Sequence, residues 1–159
     1  MSIEIERRFL IKNNQWKRLV LKKIDIVQSY LSSNSEGWIT RIRSENKEFK
    51  LTLKKHLNKA SNLEFEYEIP KEDGEIIISK VRKVIIKERF YLLVNKRAWI
   101  IDRFKGDNFP LEIAEIELNN EKETIDLPSF LSKEITHLKE YSNFELFNKP
   151  FSKWNNKIY

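Results

Sequence analysis

Cysteine is absent from this 159-residue chain, and histidine and glycine are scarce. Without cysteine there can be no disulfide framework, no thiolate metal site and no cysteine nucleophile. The two histidines, His56 and His137, lack the local spacing of a zinc site, so a zinc enzyme is not expected. With only three glycines, the chain contains neither a G-x-x-x-x-G-K loop nor a G-x-G-x-x-G loop to hold phosphate. Any metal must therefore be held by oxygen ligands, and any phosphate by side chains.

Long apolar runs are also absent. No segment approaches the roughly 18 consecutive apolar residues of a membrane-spanning helix. The chain opens directly into charged residues, without the apolar segment of a signal peptide. We therefore expect a cytoplasmic protein with no membrane partner. A length of 159 residues fits a single domain, which we assign to residues 1–159.

Charged residues, by contrast, are abundant. Lysine and arginine number 30 against 24 aspartates and glutamates, which leaves a formal net charge of +6. An excess of positive charge suits a polyanionic ligand, such as a nucleic acid, a polyphosphate or a nucleotide. The net charge alone does not choose among these ligands.

The stretch Glu4-Ile5-Glu6-Arg7-Arg8 alternates with the period of a β-strand. Glu4, Glu6 and Arg8 share one face, and Arg7 interrupts an otherwise apolar opposite face. Two carboxylates about 7 Å apart along a strand can bind one hard divalent cation, and an adjacent guanidinium can hold a phosphate bound to the same ion. Taken alone, the stretch is more typical of an ordinary amphipathic strand whose charged face lies in water.

The same alternation recurs along the chain between clusters of turn residues. After the first stretch, strands are predicted over residues 25–31, 38–44, 49–54, 64–69, 84–94, 99–104 and 111–118. Charged residues keep to one face of these strands, whereas the opposite faces are rich in Ile, Leu, Val, Phe and Trp. A closed antiparallel barrel of about eight strands satisfies both faces and leaves no free edge, with charges around a wet bore and helices packed outside. The predicted class is therefore α+β, mainly β.

Helices are predicted in three places. Residues 13–23 have Trp16 in an apolar stripe, and residues 71–83 have four candidate core residues, Ile76, Ile77, Ile78 and Val81. The tail after Glu121 is predicted to be helical in two pieces, the second capped by Ser142 or Asn143.

The ordered set of charged motifs resembles the CYTH, or triphosphate tunnel metalloenzyme, superfamily. That superfamily includes inorganic triphosphatases, thiamine triphosphatases, class IV adenylate cyclases and fungal mRNA-capping triphosphatases. Glu4-x-Glu6-x-Arg8 resembles its E-x-E-x-K signature, with Arg8 in place of the usual lysine. The further matching elements, in chain order, are Gln28-Ser29-Tyr30-Leu31, Arg41-x-Arg43, Thr52-Leu53-Lys54, Glu66-Tyr67-Glu68-Ile69, Lys87-x-Arg89-Phe90, Asp102 and Ala114-Glu115-Ile116-Glu117. Near the C terminus the fitting residues are Thr136, Lys139, Tyr141 and Asn143.

The resemblance implies a role for each matching position. Two acidic pairs would hold Mg²⁺ or Mn²⁺, namely Glu4, Glu6, Glu115 and Glu117. Lys87 and Arg89 would stabilise charge on the leaving phosphate, and Tyr30 would be a third catalytic-site residue. The expected substrate-binding residues are Arg8, Arg41, Arg43, Lys50, Lys54, Glu66, Glu68, Asp102 and Lys139. Lys50 is included because it shares the predicted charged face of its strand, not because it matches a motif.

The implied function is metal-dependent hydrolysis of tripolyphosphate or a small organic triphosphate inside the tunnel. One alternative is a class IV adenylate cyclase, in which the ribose 3′-hydroxyl attacks the α-phosphate instead of water. Another is a non-catalytic module that binds RNA or polyphosphate. No motif identifies an adenine pocket, and carboxylate pairs would repel phosphate in a simple anion-binding module. We therefore expect a small-molecule triphosphate partner and not nucleic acid, and we leave a homodimer open.

Overall fold

A computed structural model describes residues 2–155 and places nine β-strands and two short α-helices within that range. The strands are β1 (Ile3–Ile11), β2 (Val20–Ser33), β3 (Trp38–Glu45), β4 (Glu48–His56), β5 (Ser61–Ile69), β6 (Ile85–Val94), β7 (Arg97–Phe104), β8 (Glu112–Glu117) and β9 (Leu131–Glu134). The helices are α1 (Lys71–Lys80) and α2 (Asn143–Asn148). Turns of 3-10 helix occupy Gln15–Leu19, Gly106–Asn108, Lys139–Tyr141 and Phe151–Lys153.

Eight of the strands close into an antiparallel barrel. Their order is β5-β4-β3-β2-β6-β7-β8-β1, and β1 completes the ring by pairing with β5. The start of β1 pairs with β5, and its end, from Phe9 to Ile11, pairs with the extra strand β9. The predicted fold class, a mainly β closed antiparallel barrel with helices outside, is confirmed.

Strand alternation decides which side chains point into the barrel. The register sets Glu6 opposite Glu117 and Arg8 opposite Glu115, so these charged residues share the inner face. On the outer face, apolar residues of β1, β6, β7 and β8 form a buried cluster with Trp16. The main core therefore lies outside the barrel and leaves the interior to charged groups.

One end of the barrel interior is apolar. Leu10 and Ile113 lie two residues from Arg8 and Glu115 on their strands, so they face the same interior. They pack in a second buried cluster with side chains of the C-terminal segment, including Leu146. The segment that follows β9 thus closes this end with apolar side chains.

The helix predicted over residues 13–23 is wrong. Only Gln15–Leu19 form a 3-10 turn, and β2 already begins at Val20. Trp16 is fully buried with its ring 4.9 Å from that of Phe90, and the backbone from Val20 onward pairs with β6. Pairing with β6 overrides the local helical pattern, because strand preference depends on tertiary context.

The prediction for α1 is correct in type but not in extent or packing. The helix ends at Lys80, three residues before the predicted end, and Ile76 is 61% exposed. The buried residue of the helix is instead Gly74. It lies so close to Phe49 that a Cβ at position 74 would be 2.1 Å from Cγ of that ring. Glycine lets the helix backbone approach the outside of the barrel at the cost of helix propensity.

The tail contains one predicted helix, not two. Residues 121–130 contain no helix and lead into β9, which the sequence did not indicate. The second piece is confirmed as α2, where the Ser142 side chain accepts a hydrogen bond of 3.2 Å from the backbone N–H of Glu145. β9 also explains Arg7, the exception on the apolar face of β1, which donates hydrogen bonds of 2.8 and 2.7 Å to Glu134.

No helix in the described part of the chain, residues 2–155, is long and apolar enough to cross a membrane.

Candidate active site

Four carboxylates line one cavity inside the barrel. Glu4 and Glu6 project from β1, and Glu115 and Glu117 project from β8, into a space of about 240 Å³. The antiparallel register brings the two pairs together, since Glu6 lies directly opposite Glu117. The two acidic motifs are more than one hundred residues apart in sequence. Strand pairing makes them neighbours.

A larger cavity of about 430 Å³ adjoins the first, beneath the C-terminal segment. Its lining includes Arg8, Tyr30 and Lys139, all of which the sequence predicted as site residues. The two cavities share four lining residues, Glu6, Arg41, Lys54 and Asn143. They therefore form one continuous charged interior that passes from the acidic pairs to the C-terminal segment.

Arg41 and Arg43 project from β3 and are held by hydrogen bonds inside the barrel. Arg41 donates from Nη2 to Oγ1 of Thr52 at 3.2 Å and lies 3.5 Å from Oε2 of Glu66. Arg43 donates from Nε to Oε1 of Gln28 at 3.1 Å. The buried Nε of Arg41 has no hydrogen-bond partner among residues 2–155. A buried donor without a partner is costly, so this atom could be satisfied by a bound anion.

Lys54 links the basic residues of the interior to the acidic ones. Its ammonium group donates to Oε2 of Glu4 at 2.7 Å and lies 3.1 Å from Oε2 of Glu64. Burial acts to lower the pKa of Lys54, but the carboxylates of Glu6, Glu4 and Glu64 outweigh it and raise that pKa. Lys54 therefore stays protonated, and a phosphate bound there would compete with Glu4 for its ammonium group.

Asp102 anchors a fully buried cluster of charges. It accepts a hydrogen bond of 2.5 Å from Nζ of Lys87 and bonds of 2.7 and 2.8 Å from Nε and Nη2 of Arg89. Burial alone would raise the pKa of Asp102, but the charges of Arg89 and Lys87 hold it well below its usual range. Arg89 lines the smaller cavity, whereas Lys87 and Asp102 line neither cavity. Asp102 thus orients Arg89 towards the interior from behind.

The cations of the interior are crowded. Burial, assisted by the neighbouring guanidinium groups of Arg41 and Arg89, lowers the pKa of Arg43 to about 10. Burial also lowers the pKa of Lys87, and Arg89 and Arg43 act in the same direction. Arginine remains protonated at neutral pH in spite of such a shift. The interior therefore has a positive region in which an anion would be stabilised.

The carboxylates of the interior are crowded as well. Burial raises the pKa of Glu4, and Glu64 and Glu115 raise it further, against the opposing charge of Lys54. Burial likewise raises the pKa of Glu115, with Glu6 adding to the shift. Carboxylate oxygens with no competing nitrogen or sulfur donor suit a hard divalent cation, so the residues fit Mg²⁺ or Mn²⁺ by their chemistry. Within residues 2–155, no three or more His, Cys, Asp or Glu side chains are already arranged around one point as metal ligands, so the four carboxylates would have to draw together to hold a metal ion.

Four predicted substrate-binding residues line neither cavity, namely Asp102, described above, and Lys50, Glu66 and Glu68. Lys50 contacts Glu45 at 3.1 Å and Glu66 at 3.4 Å, and Glu68 is exposed. Glu66 also accepts a hydrogen bond of 3.2 Å from Thr52, so it supports the residues around Arg41. Their role in binding substrate stays a prediction.

Several lining residues were absent from the predicted site, and three of them are charged or polar residues close to the acidic pairs: Glu64, Tyr91 and Asn143. Alternation could have found two of them, because Glu64 lies two residues before Glu66 and Tyr91 two residues after Arg89. Asn143 belongs to α2 and shares no strand period with the other residues. Only its fit to the family pattern near the C terminus marked it.

These features define a class of protein: a closed antiparallel barrel whose interior sets paired carboxylates beside clustered cations. No protein-family model matches the chain. The chain is 32% identical over 153 residues to an inorganic triphosphatase of Acetivibrio thermocellus, which covers 95% of this chain and 97% of that protein. A crystal structure of an inorganic triphosphatase matches with a TM-score of 0.65 and 25% identity, over 92% of this chain and 95% of that one.

A third comparison concerns the fold. A Hippeastrum protein assigned as an adenylyl cyclase, with a dominant triphosphatase activity, matches with a TM-score of 0.58 and 17% identity, over 76% of this chain and 80% of that one. The chain belongs to the CYTH superfamily of triphosphate tunnel metalloenzymes.

Proposed function

We propose that this protein is a divalent-metal-dependent triphosphatase that hydrolyses tripolyphosphate or a small organic triphosphate inside its barrel. The observation that carries the proposal is the meeting of two acidic pairs with a cluster of buried arginines in one closed interior. Membership of the triphosphatase superfamily supports the same reaction. The partner would be a small molecule rather than nucleic acid, and the site of action the cytoplasm.

The phosphate chain would be held by cations from separate strands. Arg8, Arg41, Arg43 and Lys54 would bind the phosphoryl oxygens, because guanidinium and ammonium groups make charge-assisted hydrogen bonds to phosphate. The unpartnered Nε of Arg41 is a donor that the protein itself does not satisfy among its described residues. A bound phosphate oxygen would supply the missing acceptor.

The acidic pairs, Glu4 and Glu6 with Glu115 and Glu117, would hold Mg²⁺ or Mn²⁺. A bound divalent metal supplies polarisation of a phosphoryl oxygen and a more acidic water for attack on phosphorus.

Arg89 would stabilise the charge that develops on the leaving phosphate. Its guanidinium group donates two hydrogen bonds to Asp102, so its orientation is set before substrate binds. Lys87 lies behind this pair, and we propose that its role at the site is indirect.

A single-turnover assay with labelled tripolyphosphate, in Mg²⁺ and in Mn²⁺, tests the proposal. Release of labelled phosphate is expected with at least one of the metals. No release with either metal would contradict a triphosphatase.

The same assay with ATP separates the alternatives. Formation of cyclic AMP instead of ADP and phosphate would favour a class IV cyclase. RNA binding that persists in chelator without hydrolysis would favour a non-catalytic module.

A further inference from the structure

Asn143 is the first residue of α2 and reaches the interior of the barrel from its apolar end. It lines both cavities, together with Arg41 and Lys54. The helix that carries it is held in place by Tyr30, whose ring lies 5.2 Å from that of Phe144 and 5.1 Å from that of Phe147. Asn143 therefore occupies a defined position where the two cavities meet.

The contacts of Asn143 determine which atom of its amide faces which way. Nζ of Lys87 donates to Oδ1 of Asn143 at 2.9 Å. In its protonated form Lys87 has only donors, so the atom that faces its ammonium group is the amide oxygen. The buried Lys87 thus fixes the orientation of the Asn143 amide.

A second donor sets the same orientation. Nε2 of Gln28 donates to Oδ1 of Asn143 at 3.4 Å. The Gln28 amide is itself oriented, because its Oε1 accepts from Nε of Arg43, which can only donate. Two independent chains of contacts therefore assign oxygen to the inner side of Asn143 and NH₂ to the other side.

The Nδ2 group of Asn143 carries two N–H donors and has no hydrogen-bond acceptor among residues 2–155. Because Oδ1 is directed at Lys87 and Gln28, these donors point away from both. We propose that Nδ2 of Asn143 binds a phosphate oxygen of the substrate, an inference that rests on the proposed triphosphatase function. Asn143 is thus a substrate-binding residue, and the charge of Lys87 strengthens its N–H donors by polarising the amide.

The variant Asn143→Asp tests this assignment. Aspartate keeps an oxygen acceptor for Lys87 and Gln28 but replaces the two donors with an oxygen that repels phosphate. We expect the ligand-free melting temperature to stay close to that of the wild type. Binding of imidotriphosphate in Mg²⁺, measured by calorimetry, is expected to weaken by about tenfold to a hundredfold.

Asn148→Asp is the matched control, because it makes the same change of charge at the exposed far end of α2, away from both cavities. Its dissociation constant for imidotriphosphate should equal that of the wild type. An unchanged dissociation constant in Asn143→Asp would overturn the assignment. An equal loss of affinity in both variants would also overturn it, since the effect would then be one of net charge.

A measurement on the unmodified protein gives a second test that does not depend on a variant folding. The side-chain amide signals of Asn143, observed by ¹⁵N NMR, should shift when imidotriphosphate binds. Signals that remain in place while the ligand binds would refute the contact. Wild-type protein that binds imidotriphosphate but does not hydrolyse tripolyphosphate would contradict the proposed function alone, whereas failure to bind would contradict both.

Discussion

Arg8 illustrates how a single side chain serves both the fold and the site. It stands where the family motif has lysine, and it donates from Nη1 to the backbone oxygen of Tyr141 at 3.0 Å. Its own backbone N–H donates to Oγ1 of Thr136, also at 3.0 Å. A guanidinium group can keep the bond to Tyr141 and still present other N–H groups to a ligand, because it has five donors in a planar fork. Arg8 thereby joins the C-terminal segment to the larger cavity.

Replacement of Arg8 should separate its charge from its geometry. We expect Arg8→Lys to retain activity, because an ammonium group still binds phosphate, and Arg8→Ala to lose most of it. The measurement is kcat/KM on tripolyphosphate, with a loss of about a hundredfold or more expected for the alanine variant. Arg18→Ala, which removes an exposed arginine outside the cavities, is the control. Full kcat/KM in Arg8→Ala would remove Arg8 from the site.

The buried cluster around Asp102 should respond unequally to the loss of its members. Asp102→Asn leaves Lys87 and Arg89 without their shared counter-charge, so the free energy of unfolding should fall by about 3–5 kcal/mol. Lys87→Met should cost less, because Asp102 keeps both hydrogen bonds from Arg89. Urea unfolding at neutral pH measures both changes. A larger loss in Lys87→Met than in Asp102→Asn would contradict this account of the cluster.

Lys87 should also make stability depend on pH in the alkaline range. Burial lowers its pKa to about 7 in the folded protein, from an ordinary value of 10.5. Between these two values the unfolded chain binds more protons than the folded chain, so the free energy of unfolding rises as the pH increases. This rise should be missing from Lys87→Met. If the free energy of unfolding changed with pH in the same way in the wild type and in Lys87→Met, Lys87 would have its ordinary pKa in the folded protein.

At the scale of the element, the position of α1 depends on Gly74, the residue of this helix with the lowest helix propensity. Gly74→Ala should improve helix propensity by about 0.5–1 kcal/mol, but the new methyl group would lie 2.1 Å from Cγ of Phe49. Overpacking of this kind costs about 1–3 kcal/mol or more, so the clash should win. We expect a lower melting temperature, by about 2–4 °C for each kcal/mol of net loss.

Ile76→Ala is the control for that change, since Ile76 lies on the same helix and is 61% exposed. Its effect should stay within about 0.5 kcal/mol. If Gly74→Ala were as stable as the wild type or more so, the close contact between α1 and Phe49 would not exist in solution.

At the scale of the whole molecule, the barrel confines carboxylates that repel one another. Binding of a metal ion together with a triphosphate ligand should relieve this repulsion. In wild-type protein, Mg²⁺ with imidotriphosphate at a hundredfold excess over the dissociation constant should add about 2.7 kcal/mol to the free energy of unfolding. For a domain of this size the melting temperature should rise by roughly 5–11 °C. A melting series in chelator and in metal with ligand measures the rise.

Glu117→Gln should change that series in two ways. The variant loses one repulsive charge, so it should be no less stable than the wild type in chelator. It also loses one proposed metal ligand, so it should gain much less from metal with imidotriphosphate and turn over little tripolyphosphate. Glu36→Gln, in an exposed turn, is the control. Equal ligand-induced shifts in Glu117→Gln and wild type would remove Glu117 from the metal site.

The sequence by itself indicated the eight strands of the barrel and the inward face of each. A period of two is a local property, so alternation correctly placed Glu4, Glu6, Arg41, Arg43 and their counterparts on the inside. Charge on one face and apolar residues on the other left a closed barrel as the arrangement that satisfies both. The capping residue of α2 was also a local signal, because Ser142 bonds the third residue that follows it.

Only the tertiary structure decided features that depend on partners distant in sequence. β2 begins at Val20 because β6 pairs with it, and β9 forms because the end of β1 offers it an edge. Alternation gives Arg41 and Glu68 the same inward face, but the two residues lie at different depths along the barrel. Arg41 therefore lines both cavities, whereas Glu68 is exposed. Asn143 reaches the interior because α2 packs on Tyr30 and Lys87 meets its amide oxygen. The alternation of side chains and the secondary-structure propensities of residues depend on neighbours along the chain. The contacts described here join residues that meet only when the barrel closes.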